Sequence, residues 1–202
     1  MADVVLVHGA ATTPKVWDSV RALLPELEVV APARPRTGDL TLECDWLEGI
    51  SHGAVVFGMS GGATLVLELA ARGADARALI AHEPAAGSLC PELFVDLAAA
   101  LDSGGVEAFG TALYGPSWAL APGVTEEQVR GDVGMFRSFE PRAPLTPTLV
   151  TTGSESPPLR HELAQSLAER HGYPTTIVEG ASHFIAQGAP DAVAALVRGA
   201  LA

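Results

Sequence analysis

The 202-residue sequence predicts one α/β domain, a mainly parallel sheet covered on both faces by helices. Three observations carry this. Short β-branched runs alternate with segments of helical period almost from end to end. Those runs are apolar on successive residues rather than on alternate ones, as strands buried on both faces require. The chain is also long enough to bury one full hydrophobic core.

The strand-like runs are Asp3–His8 (D-V-V-L-V-H), Leu27–Ala31, Ala54–Met59, Arg77–His82, Thr148–Thr152 and Thr175–Val178. Between them lie helical patterns. Pro14–Leu24 puts Val16, Trp17, Val20, Leu23 and Leu24 on one stripe, and Ser60–Arg72 does the same with Ala63, Leu65, Val66, Leu69 and Ala70. A helix ends at His52. Leu159–His171 and Asp191–Leu201 complete the set, with Pro157-Pro158 and Pro190 at helix starts, where a missing N–H costs nothing.

The alternation breaks between Pro84 and Pro147. Here helix follows helix: Pro91–Leu101, Val106–Tyr114 and Thr125–Phe139. Thr125 with Gln128 three residues on is a capping-box pattern, and Gly104-Gly105, Gly115-Pro116 and Pro122-Gly123 punctuate the stretch. We read residues 85–145 as a helical lid inserted within a single domain that spans residues 1–202. The stretch offers Leu93, Phe94, Leu97, Leu101, Phe109, Leu113, Tyr114, Trp118, Met135 and Phe136, some for the core and some for an apolar pocket.

Composition narrows the partners. Nearly half the residues are apolar, few are aromatic, and the formal charge is −12. Phosphate recognition needs clustered Lys and Arg, so nucleic acid and anionic membrane surfaces are excluded as partners. No apolar run approaches the ~20 residues that span a bilayer. No basic segment and cleavage site precede the first strand, so no signal peptide is expected. Cys44 and Cys90 form no C-x-x-C pair and read as reduced thiols of a cytoplasmic protein. Oligomeric state leaves no mark on the sequence.

The strongest local signal is Gly58-Met59-Ser60-Gly61-Gly62, which joins a predicted strand directly to a predicted helix. So tight a turn forces the serine backbone into strained dihedrals, and glycines two before and two after remove the Cβ atoms that would collide with it. The hydroxyl then stands at the positive end of a helix, where developing negative charge is favoured. A nucleotide-binding turn is the competing reading, but no G-x-G-x-x-G or G-x-x-x-x-G-K-[ST] follows any strand. We therefore read Ser60 as a nucleophile. The first strand ends in His8-Gly9-Ala10-Ala11, a small-residue turn whose Ala10 N–H is placed to oppose that of Gly61 as an oxyanion hole. His8 reads as a structural residue of that turn.

H-G-A-A-x-x-x-x-x-W (His8 to Trp17), G-M-S-G-G and A-S-H-F near the C-terminus together resemble the α/β-hydrolase superfamily, in that family's chain order. The resemblance covers nearly the whole chain; only the N-terminal hairpin of larger members is missing. It implies a sheet of about six parallel strands, a nucleophile elbow at Ser60 and a catalytic histidine after the last strand. His183, in Gly180-Ala181-Ser182-His183-Phe184, fills that role as the general base. His161 and His171 on a polar-faced helix, His52 at a helix end and His82 at a strand end are weaker competitors.

The acid departs from the family pattern. Most members carry it as the aspartate of G-x-x-D after the strand equivalent to Thr148–Thr152, and this chain reads Gly153-Ser154-Glu155-Ser156. Two carboxylates compete for the role. Glu83 ends the strand after the nucleophile, where haloalkane dehalogenases place theirs; Glu155 lies one residue from the usual position. A Ser-His dyad without an acid is the third possibility, and Glu83 is preferred. Its alternative use is to pair with a lid arginine such as Arg137 or Arg142.

The expected activity is that of an esterase-like serine hydrolase, cleaving a small-molecule ester, thioester or lactone without metal or organic cofactor. No cluster of Arg or Lys converges on the site, which argues against a phosphorylated or polyanionic substrate. The same residues would also serve a lyase, an acyltransferase, a cofactor-free haloperoxidase or a ligand-binding receptor, and fold alone does not choose among them.

Overall fold

The computed structural model describes residues 2–202. Six strands, β1 (Val4–Val7), β2 (Val29–Val30), β3 (Val55–Met59), β4 (Ala78–His82), β5 (Thr148–Gly153) and β6 (Thr175–Val178), form one sheet in the order β2-β1-β3-β4-β5-β6. Every pairing is parallel. The strands at its centre are continuously apolar because both faces are covered. Val5, Val7 and Val56 pack against α2 (Leu40–Ser51) and α3 (Gly61–Arg72), while Val4, Leu6, Val55 and Phe57 face α1 (Asp18–Ala22) and α8 (Pro190–Leu201).

Between β4 and β5 come α4 (Val95–Tyr114) and α5 (Glu126–Arg137); α6 (Pro158–His171) links β5 to β6, and the short α7 (Ile185–Gly188) precedes α8. The segments expected as Pro91–Leu101 and Val106–Tyr114 run into one another through Gly105, whose φ of 63° and ψ of −155° break the helical path. Such dihedrals are open to glycine at little cost. Thr125 and Gln128 form the expected reciprocal cap of α5. Pro14–Leu24 divides into a 3-10 turn over Pro14–Trp17 and the short α1. The helix that ends at His52 begins at Leu40, where the Asp39 carboxylate accepts from the N–H groups of Thr41 and Leu42. The run expected over Leu27–Ala31 contracts to Val29–Val30, which pairs only with β1 at one edge of the sheet.

The strand order reverses direction between β1 and β3: the chain leaves β1 for β2 on one side and returns to β3 on the other. In open parallel sheets the crevice beyond the carboxyl ends of such strands is where ligands bind. Ser60, Glu83 and His183 all follow strands at that end. Among the described residues, no helix is long and apolar enough to cross a membrane.

Candidate active site

Among the described residues, four non-glycine residues have positive φ, and three of them stand at neighbouring strand ends: Ala11 (53°) beyond β1, Ser60 (57°) after β3 and Glu83 (47°) after β4. Strain of this kind persists only where the surroundings over-determine it. At Ser60 the cause is visible. Its ψ is −123°, and α3 begins at the next residue. A Cβ on Gly58 would lie 2.4 Å from the carbonyl oxygen of Gly62, and one on Gly62 would lie 2.2 Å from that of Val7. The two glycines let the turn fold back on itself and against β1. The Ser60 N–H is held by the His82 carbonyl at 2.9 Å, which ties the turn to the next strand.

Glu83, which the sequence expected to be exposed or paired with Arg137 or Arg142 if it were not the acid, is 2% exposed. Its Oε2 lies 2.8 Å from His183 Nδ1. Its Oε1 accepts from the Gly153 N–H at 2.8 Å and from the Ser156 hydroxyl. Burial alone would raise the pKa of this carboxyl. The hydrogen bond from His183 and the charges of His183, His82 and Arg160 outweigh burial and hold it well below the usual carboxylate range. Arg142 pairs instead with Glu68, at 2.7 Å. Glu155 is exposed, and its backbone N–H bonds to the Ala181 carbonyl. Serine at 156 thus hydrogen-bonds the carboxylate that β4 supplies from across the sheet.

On the other edge of the imidazole, Arg160 Nη2 lies 3.4 Å from His183 Nε2. A guanidinium only donates, so Nε2 is the acceptor and the proton resides on Nδ1, donated to Glu83. Burial first, and then the charge of Arg160, lower the His183 pKa from 6.5 to about 4 against the opposing pull of Glu83. The ring is therefore neutral at pH 7. The Tyr114 ring stacks on it with centroids 5.4 Å apart and planes 15° from parallel. The Tyr114 hydroxyl donates to the Ala10 carbonyl at 2.8 Å. Burial raises the phenol to about 12. Among the described residues, no hydrogen bond joins Ser60 to His183.

Gly61 opens α3, so its N–H has no carbonyl four residues back in the helix. Among the described residues, neither this N–H nor that of Ala10 donates to another group. Ala10 and Ser60 line one small cavity together with Leu93, Phe94, Leu97, Phe136 and Arg160. Its volume is about 20 Å³. That is room for about one water molecule, not for an ester.

Three of the other five histidines have partners of their own. His8 is buried: Nε2 accepts the Arg34 N–H at 3.3 Å and Nδ1 donates to the Gly9 carbonyl at 3.0 Å. Burial and then Arg34 and Arg36 push its pKa well down. His82 spans from the Thr151 hydroxyl (2.9 Å) to the Ser182 carbonyl (3.1 Å) and so fastens the loop that carries His183. His52 pairs with Asp75 at the surface.

Arg160 escaped the sequence reading as a site residue, and Tyr114 was read only as one of the lid residues open to core or pocket. For Arg160 there was a signal: it lies in the first turn of α6, where the helix dipole disfavours a cation. An arginine there needs another reason.

A parallel α/β sheet that gathers a strained serine, a buried histidine and a buried carboxylate at its carboxyl edge defines the class as α/β-hydrolase. The chain belongs to the alpha/beta hydrolase family, whose model matches residues 4–196. No curated protein matches it. Among solved structures it is similar to the enol-lactonase from Burkholderia xenovorans, at 20% identity and a TM-score of 0.75 over 100% of this chain and 92% of that one. It is also similar to the type II thioesterase BorB from the borrelidin biosynthetic cluster, at 20% identity and a TM-score of 0.71 over 98% and 92%. The naproxen esterase from Bacillus subtilis matches at 17% identity and a TM-score of 0.69 over 98% and 83%.

Proposed function

We propose that this enzyme is a serine hydrolase that cleaves a carboxylic ester, thioester or lactone through an acyl-Ser60 intermediate. The observations that carry the reading are the strained Ser60 turn after β3 and, in the loop after the last strand, a buried histidine whose Nδ1 is held by an ionised Glu83. The esterase, thioesterase and lactonase named among the similar structures fit it. In the first step Ser60 Oγ attacks the carbonyl carbon as its proton passes to His183 Nε2; the carbonyl oxygen becomes an oxyanion facing the N–H groups of Ala10 and Gly61. The tetrahedral centre collapses, the C–O or C–S bond to the leaving group breaks, and that group takes the proton. Water then repeats the sequence on the acyl-enzyme and restores the serine. Glu83 orients the imidazole and stabilises its cation, and no step calls for a metal or organic cofactor. The segment over residues 85–145 acts as the lid: with about 20 Å³ at Ser60, helices α4 and α5 have to part before an ester reaches the serine. The acidic surface and the two buried thiols suit a cytoplasmic protein that acts on small molecules rather than nucleic acid or membrane.

A fluorophosphonate probe tests the nucleophile. Intact-mass and peptide analysis is expected to show one adduct, on Ser60, and none in Ser60→Ala; labelling elsewhere, or none in the folded wild type, removes the acyl-enzyme. A ligand-binding role on the same scaffold is the second reading, favoured by Arg160 standing at Nε2. It predicts a retained ligand and no adduct.

Acid tolerance follows from the buried imidazole. The base works only when neutral, and its pKa is lowered from 6.5 to about 4. The kcat/KM of an activated ester is therefore expected to hold as pH falls through 6.5 and to drop only near pH 4. An acidic limb at pH 6.5 or above would contradict this environment for His183.

A further inference from the structure

The arginine at the base has unmet binding capacity. Arg160 is 8% exposed and reaches three groups, none closely: His183 Nε2 at 3.4 Å, the Glu83 carbonyl at 3.4 Å and Glu83 Oε2 at 3.7 Å. Both oxygens of Glu83 are already held by His183, Gly153 and Ser156 at 2.8 Å or less. Arg34 shows what full partnership looks like in this same protein. More deeply buried still, it meets Glu43 at 3.1 Å and Asp132 at 2.6 Å. Burial lowers the Arg160 pKa and its carboxylate neighbour does not restore it, whereas Arg34 ends above its ordinary value.

A planar fork of donors suits a carboxylate in bidentate contact. The Arg160 fork has none, and it lines the same largely apolar cavity as Ser60. Arg160 also lines a second cavity of about 220 Å³, together with Glu92, Asp96 and His183. Those acids disfavour an anion in the second cavity, which leaves the Ser60 cavity as the side on which a carboxylate meets Arg160. One guanidinium suits one carboxylate, not a polyphosphate.

Resting on the serine-hydrolase reading, we infer that Arg160 is a substrate-binding residue that receives a carboxylate at the far end of an apolar acyl chain, so that this enzyme prefers esters of dicarboxylic acids. Engaging that carboxylate also draws the guanidinium from His183 Nε2, the nitrogen that takes the Ser60 proton. An uncharged acyl chain leaves Arg160 where it competes for Nε2.

The test pairs mono-p-nitrophenyl adipate and suberate with the p-nitrophenyl esters of hexanoate and octanoate. Wild-type kcat/KM is expected to favour the carboxylated chains at least tenfold. Arg160→Gln is expected to lose that preference, and Arg160→Lys to keep part of it. Binding is read separately, by calorimetry on Ser60→Ala with monomethyl and dimethyl adipate. A tighter Kd for the monoanion that disappears in Ser60→Ala/Arg160→Gln supports the site even if no ester turns over. Equal binding of the two adipates, or an Arg160→Gln that slows all four esters alike while circular dichroism shows it folded, overturns it. Failure of the fluorophosphonate to label Ser60 strikes the hydrolase reading instead and leaves the binding comparison standing.

Discussion

Glu83→Gln is expected to lower kcat on an activated ester by about a thousandfold to ten-thousandfold, with KM little changed. The amide keeps the size and one acceptor oxygen but loses the charge that stabilises imidazolium. It can also turn its NH2 toward His183 and favour the wrong tautomer. Both oxygens of Glu83 are committed, one to His183 Nδ1 and the other to Gly153 and Ser156. A neutral side chain therefore disturbs the base and the β5 loop together. Glu155→Gln is expected to stay within about twofold of wild type, because its exposed side chain touches neither group. Steady-state kinetics on one p-nitrophenyl ester, with melting curves for both variants, decides it. A crippled Glu155→Gln beside a fully active Glu83→Gln would reverse the assignment.

The second large effect is on stability. Arg34 sits between Glu43 and Asp132, all three side chains at most 1% exposed. Its guanidinium also lies 5.3 Å from the Phe136 ring centroid. These contacts fasten α5 to the segment between β2 and β2's following helix, α2. Arg34→Met would leave two carboxylates buried without their cation. Breaking such a pair from one side costs about 3–5 kcal/mol, which for a domain of this size lowers Tm by about 10 °C. Arg34→Met/Glu43→Leu/Asp132→Leu is expected to recover most of the loss, because removing all three charges removes the desolvation penalty with them. Urea titration of the single and triple variants checks both statements. A single variant within about 1 kcal/mol of wild type would mean that the cluster is solvated. His8 is spared in either variant, since it accepts from the backbone of residue 34 and not from its side chain.

The strands and the Ser60 turn were legible because each is decided within a few residues. A continuously apolar run specifies a strand covered on both faces, and two flanking glycines specify how closely a backbone folds on itself. The boundary losses are local too: β2, paired on one side only, shortened, and Gly104-Gly105 read as a stop where the structure bends a continuing helix. The choice of acid was legible only as a preference. Sequence favoured Glu83 over Glu155 from its strand-end position, and what separates the two carboxylates is that Glu83 reaches the imidazole.

By itself, then, the sequence determined the parallel α/β sheet, the strained serine and the histidine loop that follows the last strand. Only the tertiary structure decided that Glu83 is the carboxylate that meets His183, that Tyr114 stacks on the ring and that Arg160 stands at Nε2. The reason is one of range. Dihedral preference and apolar period are properties of neighbouring residues. The contact between Glu83 and His183 bridges 100 positions and that between Glu83 and Arg160 bridges 77, and such charges find partners only after the sheet has brought its strand ends side by side.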